Sequence, residues 1–153
     1  MKKLIILGFL LTISSITFAQ GCNGFNKTKR CTRYASSDYK TYGQSQNALL
    51  MADSTYRCQV VLFGNKEYRI SFCAENGFEP IHIRLIDMAT KEVTYDNETD
   101  KYIESVGFTV EKTKQILIEV TLTTKNKNFE SIREATSCLG ILIQWSKMPK
   151  IGF

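Results

Sequence analysis

Between Thr55 and Trp145 the chain keeps a two-residue rhythm of apolar and polar positions, the signature of strands with one buried face. Tyr56, Cys58, Val60 and Leu62 share one side of a first segment. Gly64-Asn65-Lys66 reads as a turn, and Tyr68, Ile70 and Phe72 alternate inward along the next segment up to Cys73. This pair has the grammar of a β-hairpin. Glu75-Asn76-Gly77 is a second turn. Segments 81–87, 91–95, 105–110 and 115–122 follow, the last with Ile116, Ile118, Val120 and Leu122 on one face. Residues 126–136 have room for one helical turn. Cys138 to Trp145 closes the series with Leu139, Ile141, Ile143 and Trp145 on one side. Pro80 and Pro149 fall at strand edges, where a missing N–H does least harm. The pattern predicts an all-β fold, an antiparallel β-sandwich or jelly roll of seven or eight strands over 46–153, behind an irregular N-terminal arm over 20–45. A helix near residues 45–54 would convert this to an α+β fold.

The first nineteen residues break the rhythm and change the picture. Lys2 and Lys3 precede an almost unbroken apolar run from Leu4 to Ile16, and Thr17-Phe18-Ala19 ends in a small residue before Gln20. That is the layout of a secretory signal peptide over 1–19, cut before Gln20. The run is too short for a comfortable span, and no later apolar stretch is long enough to cross a bilayer. Gly21-Cys22 resembles the end of a bacterial lipobox, which would lipidate Cys22, but Gln20 and Ala19 depart from that pattern. Export predicts a periplasmic, outer-membrane-associated or extracellular protein.

An oxidising compartment makes Cys22, Cys31, Cys58, Cys73 and Cys138 candidates for disulfides, with one left over. Cys73 and Cys138 both face away from the apolar sides of their strands. If those strands are neighbours they can pair, and Cys73–Cys138 is the predicted bridge. Cys58 lies on the inward side, either as a small buried hydrophobe or bonded to an arm cysteine, Cys31 in the first instance.

Charge and motif content argue against several classes. The whole chain carries +5; losing Lys2 and Lys3 with the leader leaves +3, scattered, with no basic stripe for nucleic acid. His82 is the single histidine, no CxxC pair exists, and no zinc set, GxSxG elbow or glycine-rich phosphate loop is present. His82 alternates with Ile81 and Ile83 and should face solvent. No catalytic residue, metal site or cofactor is therefore assigned. The polar run from Asp96 to Asp100 reads as a solvated loop. Tyr34, Tyr39 and Tyr42 lie in the arm, outside the core pattern, where rings either cover a sheet edge or offer a stacking surface.

The run from Tyr56 to Leu122 resembles the pre-peptidase C-terminal (PPC-like) β-sandwich domains of bacterial secreted proteins. The likeness rests on Gly64-Asn65-Lys66-Glu67-Tyr68-Arg69-Ile70-Ser71-Phe72, Ile83-Arg84-Leu85-Ile86-Asp87 and Val93-Thr94-Tyr95-Asp96-Asn97, with a partial match over Gln115 to Val120. No glycine follows Asp87, and the Gly and Tyr before the last strand are absent. The ending Lys150-Ile151-Gly152-Phe153 also resembles a group of small secreted bacterial proteins. The PPC-like likeness implies a non-catalytic accessory. The expectation is a protein-binding accessory or structural subunit at the cell envelope. The alternative is a carbohydrate-binding module using Tyr34, Tyr39 and Tyr42 with Asp96, Asn97 and Asp100.

Overall fold

The alternation resolves into two antiparallel sheets packed face to face. The structure is a computed structural model that describes residues 21–125 and 128–148; the signal-peptide reading falls on 1–19 and lies outside them. Along the chain come a 3-10 turn at Phe25–Lys27, the short helix α1 at Lys29–Thr32, and strands β1 (Lys40–Thr41), β2 (Gln46–Met51), β3 (Thr55–Leu62) and β4 (Lys66–Ala74). Then follow β5 (Ile81–Asp87), β6 (Val93–Asp96), a second 3-10 turn at Asn97–Asp100, β7 (Ser105–Val110), β8 (Lys114–Leu122) and β9 (Thr136–Lys147). One sheet runs β1-β9-β4-β7, with β2 also on β9 as a continuation of β1; the other runs β3-β8-β5-β6.

The core is the set of inward positions expected from the rhythm. Tyr68, Ile70 and Phe72 on β4 and Leu139, Ile141 and Ile143 on β9 meet Val60, Leu62, Ile81, Ile83, Ile116, Ile118, Val120 and Leu122 from the other sheet, all essentially inaccessible to solvent. Each such side chain contributes about 1.5–3 kcal/mol on burial. The stretch with a possible helix, 45–54, is instead strand β2, in register with β9 from Gln46↔Ile141 to Met51↔Thr136. The turn expected within 126–136 is seen at its end, where Ala135 N–H donates to Ser131 O at 3.2 Å.

The expected hairpin is not one. β3 pairs with β8 and β4 pairs with β9 and β7, so the chain crosses between layers at Phe63-Gly64-Asn65. Two consecutive strands with inward apolar faces fit adjacent places in one sheet or facing places in two, and periodicity is the same for both. What favours the crossing is close packing of two turns. A Cβ on Gly64 would lie 2.6 Å from Glu111 O and 3.0 Å from Thr113 N, so only glycine lets this link lie against the β7–β8 turn. Asn65 follows in the left-handed region at φ 57°.

The disulfides also correct the prediction. The bonds are Cys22–Cys138 and Cys31–Cys73, and Cys58 is free. Neither Cys73–Cys138 nor Cys31–Cys58 forms. Cys73 and Cys138 do share the outer face of neighbouring strands, but Cys73 sits opposite Gly140 rather than Cys138. The arm crosses this face and supplies a closer partner to each. Gly140 makes the room: a Cβ there would meet Cys31 Sγ at 2.5 Å, Cys73 Sγ at 2.7 Å and Asn26 Cα at 3.0 Å. With its sulfur bonded to Cys138, Cys22 has no thiol left to carry a lipid. The two bonds point to an oxidising compartment outside the cytoplasm. Among the described residues no helix is long and apolar enough to cross a membrane.

Candidate functional site

The two lateral sides of the sandwich are built differently. On one, β3 is an edge strand, and its Val61 is capped from the arm: Tyr42 Oη donates to Val61 O at 2.7 Å, and Val61 N–H donates to Gln44 Oε1 at 2.8 Å. Tyr42 turns its ring inward, edge-on to Tyr68 at 5.9 Å and to Phe63 at 6.4 Å, and burial raises its phenol pKa. The edge-facing N–H and C=O of Val61 are thereby satisfied from within the chain.

On the opposite side lie β6 and β7, each hydrogen-bonded, among the described residues, to a neighbour strand on one flank only. Between them the layers part into a cleft of about 480 Å³ walled by Leu85, Tyr95, Val106, Phe108 and Ile116, with Ile103 exposed at its mouth. Lys114 and Asp100 supply charge on its lining, and Tyr95 Oη donates to Asp100 Oδ2 at 3.3 Å. Burial and the Asp100 charge raise the Tyr95 pKa, so this donor stays protonated at neutral pH. Gly107 stands mid-strand on β7 with only Tyr68 O within 4 Å of where its Cβ would be.

Across the outer face of β3-β8-β5-β6 runs one row of charges. Arg57 Nε lies 2.7 Å from Glu119 Oε1, Glu119 Oε2 lies 3.1 Å from Arg84 Nη1, and Arg84 Nε lies 3.7 Å from Asp96 Oδ2. The row ends where His82 Nε2 donates to Asp96 Oδ1 at 2.9 Å. Strand register makes it: Arg57↔Glu119, Arg84↔Glu119 and Arg84↔Asp96 are cross-strand partners. His82 faces solvent as expected, half-buried against the edge of Tyr102. Its ring, Asp96 and Glu98 bring one ligand atom each within 4.8 Å of one another. The arrangement already has a structural use, since Asp96 Oδ1 also accepts from Glu98 N–H at 3.0 Å and caps the following turn. Burial raises the Asp96 pKa, but the Glu98 amide, His82 and Arg84 outweigh it and leave the carboxyl below its ordinary value. A folded pKa below the unfolded one gives stability that is present above the unfolded value and lost as pH falls through the folded one. Asp96→Asn is therefore expected to lower the urea midpoint at pH 7, by no more than about 1 kcal/mol for so exposed a pair. The gap to the parent protein should close below pH ~3.9, the unfolded value. A gap that persists at pH 2 would contradict this.

The residues of the expected glycan surface are dispersed. Tyr34 is exposed beneath the Arg33 guanidinium, 4.8 Å away. Tyr39 lies under Arg69 at 5.1 Å and donates to Glu67 Oε2 at 3.1 Å. Tyr42 is turned inward. These three belong to the five-stranded side, whereas Asp96 and Asp100 belong to the far edge of the other sheet. Asn97 has no accessible surface: Ile83 N–H donates to its Oδ1 at 2.8 Å, and its Nδ2 donates to Ile81 O at 2.9 Å and Ile103 O at 3.1 Å. It is a bracket inside the fold, unable to touch a ligand.

Cys58 and His82 point to opposite faces of the same sheet, so no thiol–imidazole pair exists. Burial pushes the Cys58 thiol up to about 11, which keeps it protonated and unreactive. Sequence reasoning passed over the cleft and also a hollow under the arm walled by Asn26 and Gln144. A glycine in the apolar run of β9 was the available signal, since Gly in a strand marks close approach of another backbone. Set against known protein families and curated proteins, the chain matches none.

Proposed function

We propose that this protein is a non-catalytic accessory or structural subunit at the bacterial cell envelope, periplasmic or outside the outer membrane. It binds an extended segment of a partner protein along the β7 edge. The cleft between β6 and β7 carries the reading. It offers an unshared strand edge for main-chain hydrogen bonds and an apolar slot for alternate side chains, the two components of strand addition. The arm caps the opposite side of the sandwich and leaves this one open. The PPC-like likeness of segments 56–122 agrees with an accessory role, and the leader and disulfides agree with export.

A photo-crosslinking residue placed at Thr109, exposed on β7, should yield a discrete adduct with one envelope protein in the native cell. The same residue at Gln59, exposed on β3, should yield none. Ile103→Asp at the mouth of the cleft should reduce the Thr109 adduct at least tenfold, a loss of about 1.4 kcal/mol. Equal adducts from both positions, or none from Thr109, would refute the proposal.

A further inference from the structure

A second hollow lies on the other broad face, between the arm and the outer surface of β9. β1 and β2 are one edge strand interrupted at Tyr42–Ser45. There Ser45 Oγ stands in for a backbone partner, accepting from Ile143 N–H at 3.0 Å, while Tyr42 N–H donates to Ile143 O at 2.7 Å. With Tyr42 turned into the sandwich, its outward space is left empty. The result is a hollow of about 650 Å³, within the size range of small-ligand sites. Its floor is held by the Cys31–Cys73 bond and by Asn26 N–H donating to Asn47 Oδ1 at 2.6 Å.

The wall chemistry is specific. Asn26 and Gln144 both line the hollow, at 4% and 5% exposure, and each has a carbonyl oxygen with no hydrogen-bond partner. A buried unpaired acceptor costs about 1–3 kcal/mol, and two in one wall call for a donor. Terminal amides turn over in place, so Asn26 and Gln144 can offer an oxygen or an NH2 pair to what enters. Lys27 is the one charged residue of the lining, with no carboxylate beside it, so a cation has nothing to pair with. An anion without hydroxyl groups brings no proton to the two oxygens. Leu142 and Ala35 are the aliphatic side chains beside Tyr42, in a lining otherwise mostly of glycine, hydroxyl and amide residues.

We propose that this hollow binds a neutral polyhydroxylated ligand, a saccharide unit or a polyol of that size, whose hydroxyls supply the donors missing at Asn26 and Gln144 and accept from the amide N–H groups. The site shares Tyr42 with the arm-tyrosine surface but differs from it in chemistry, since it uses amides rather than rings. It is independent of the β6–β7 cleft.

The test is side-chain amide NMR of the oxidised, 15N-labelled protein, titrated separately with glucose, N-acetylglucosamine and maltose, and with sodium sulfate and choline chloride as charged comparisons. At least one neutral sugar should give saturable shifts at the Asn26, Asn47 and Gln144 amides. Gln144→Met, which keeps the volume and removes the amide, should weaken that binding at least tenfold, whereas Ile103→Asp should leave it unchanged. If Gln144→Met does not fold, Thr41→Val on the same wall carries the comparison. No saturable shift with any of the three sugars would mean that water alone fills the hollow and would overturn the inference. Saturation by sulfate or choline only, or sugar binding indifferent to the wall variant, would overturn it equally.

Discussion

Cys22→Ala combined with Cys138→Ala should cost this protein about 4–5 kcal/mol, the largest loss expected from any one bond in it. The bond spans 116 residues, and closing so long a loop removes much of the freedom of the unfolded chain. A domain of this size is stable by about 5–15 kcal/mol in total. The double variant should therefore melt at least about 10 °C lower under non-reducing conditions. Cys31→Ala with Cys73→Ala spans 42 residues and should cost about 4 kcal/mol. Cys58→Ala removes no bond and serves as the control. Thermal unfolding gives the magnitudes, and non-reducing peptide mapping gives the pairing. Recovery of a Cys73–Cys138 peptide would refute the attachment of the arm described above.

Asn97→Ala should cost about 3 kcal/mol or more, although it deletes only a small side chain. The amide satisfies the Ile83 N–H and the Ile81 and Ile103 carbonyls. Alanine leaves all three buried groups unpaired, at about 1–3 kcal/mol each. The turn that follows is strained, and the backbone bond that holds it survives the substitution. Lys101 and Tyr102 lie successively in the left-handed region at φ 54° and 58°, which side-chain-bearing residues adopt at a cost. Tyr102 N–H is held there by Asn97 O at 2.8 Å. Chemical denaturation reads the loss, and amide exchange at Ile83 should accelerate. Asn97→Asp should do nearly as much harm, because a carboxylate cannot donate to the two carbonyls. A loss below about 1 kcal/mol would mean that water replaces the bracket.

Much of the fold was legible because burial imposes a period of two. Ile116, Ile118, Val120 and Leu122 could belong to nothing but a half-buried strand, and the outward parity of Cys73 and Cys138 followed from the same rule. Partner choice was not legible. Whether Tyr68 sits beside Val60 in one sheet or across from its strand in another depends on how closely two turns pack at Gly64, and alternation carries no trace of that. The cysteine pairing turned on the path of an arm with no periodicity. Polar residues were the least readable. Asn97 looked like a loop ligand and is a buried bracket, while Gln144, opposite in parity to Ile143 and Trp145, walls a hollow. In both cases the deciding fact is which backbone groups the rest of the fold leaves without partners.

The place of β9 governs when this protein can acquire its shape. Strand β9, the last in sequence among the described residues, lies in the interior of its sheet, flanked by β1 and β2 on one side and β4 on the other, and it holds Cys138, the partner of Cys22. No part of that sheet except the β4–β7 pair can assemble before β9 has been synthesised. Contacts of such long sequence separation form slowly. The five-stranded sheet thus stays open until synthesis reaches β9, and the Cys22–Cys138 bond can close only then.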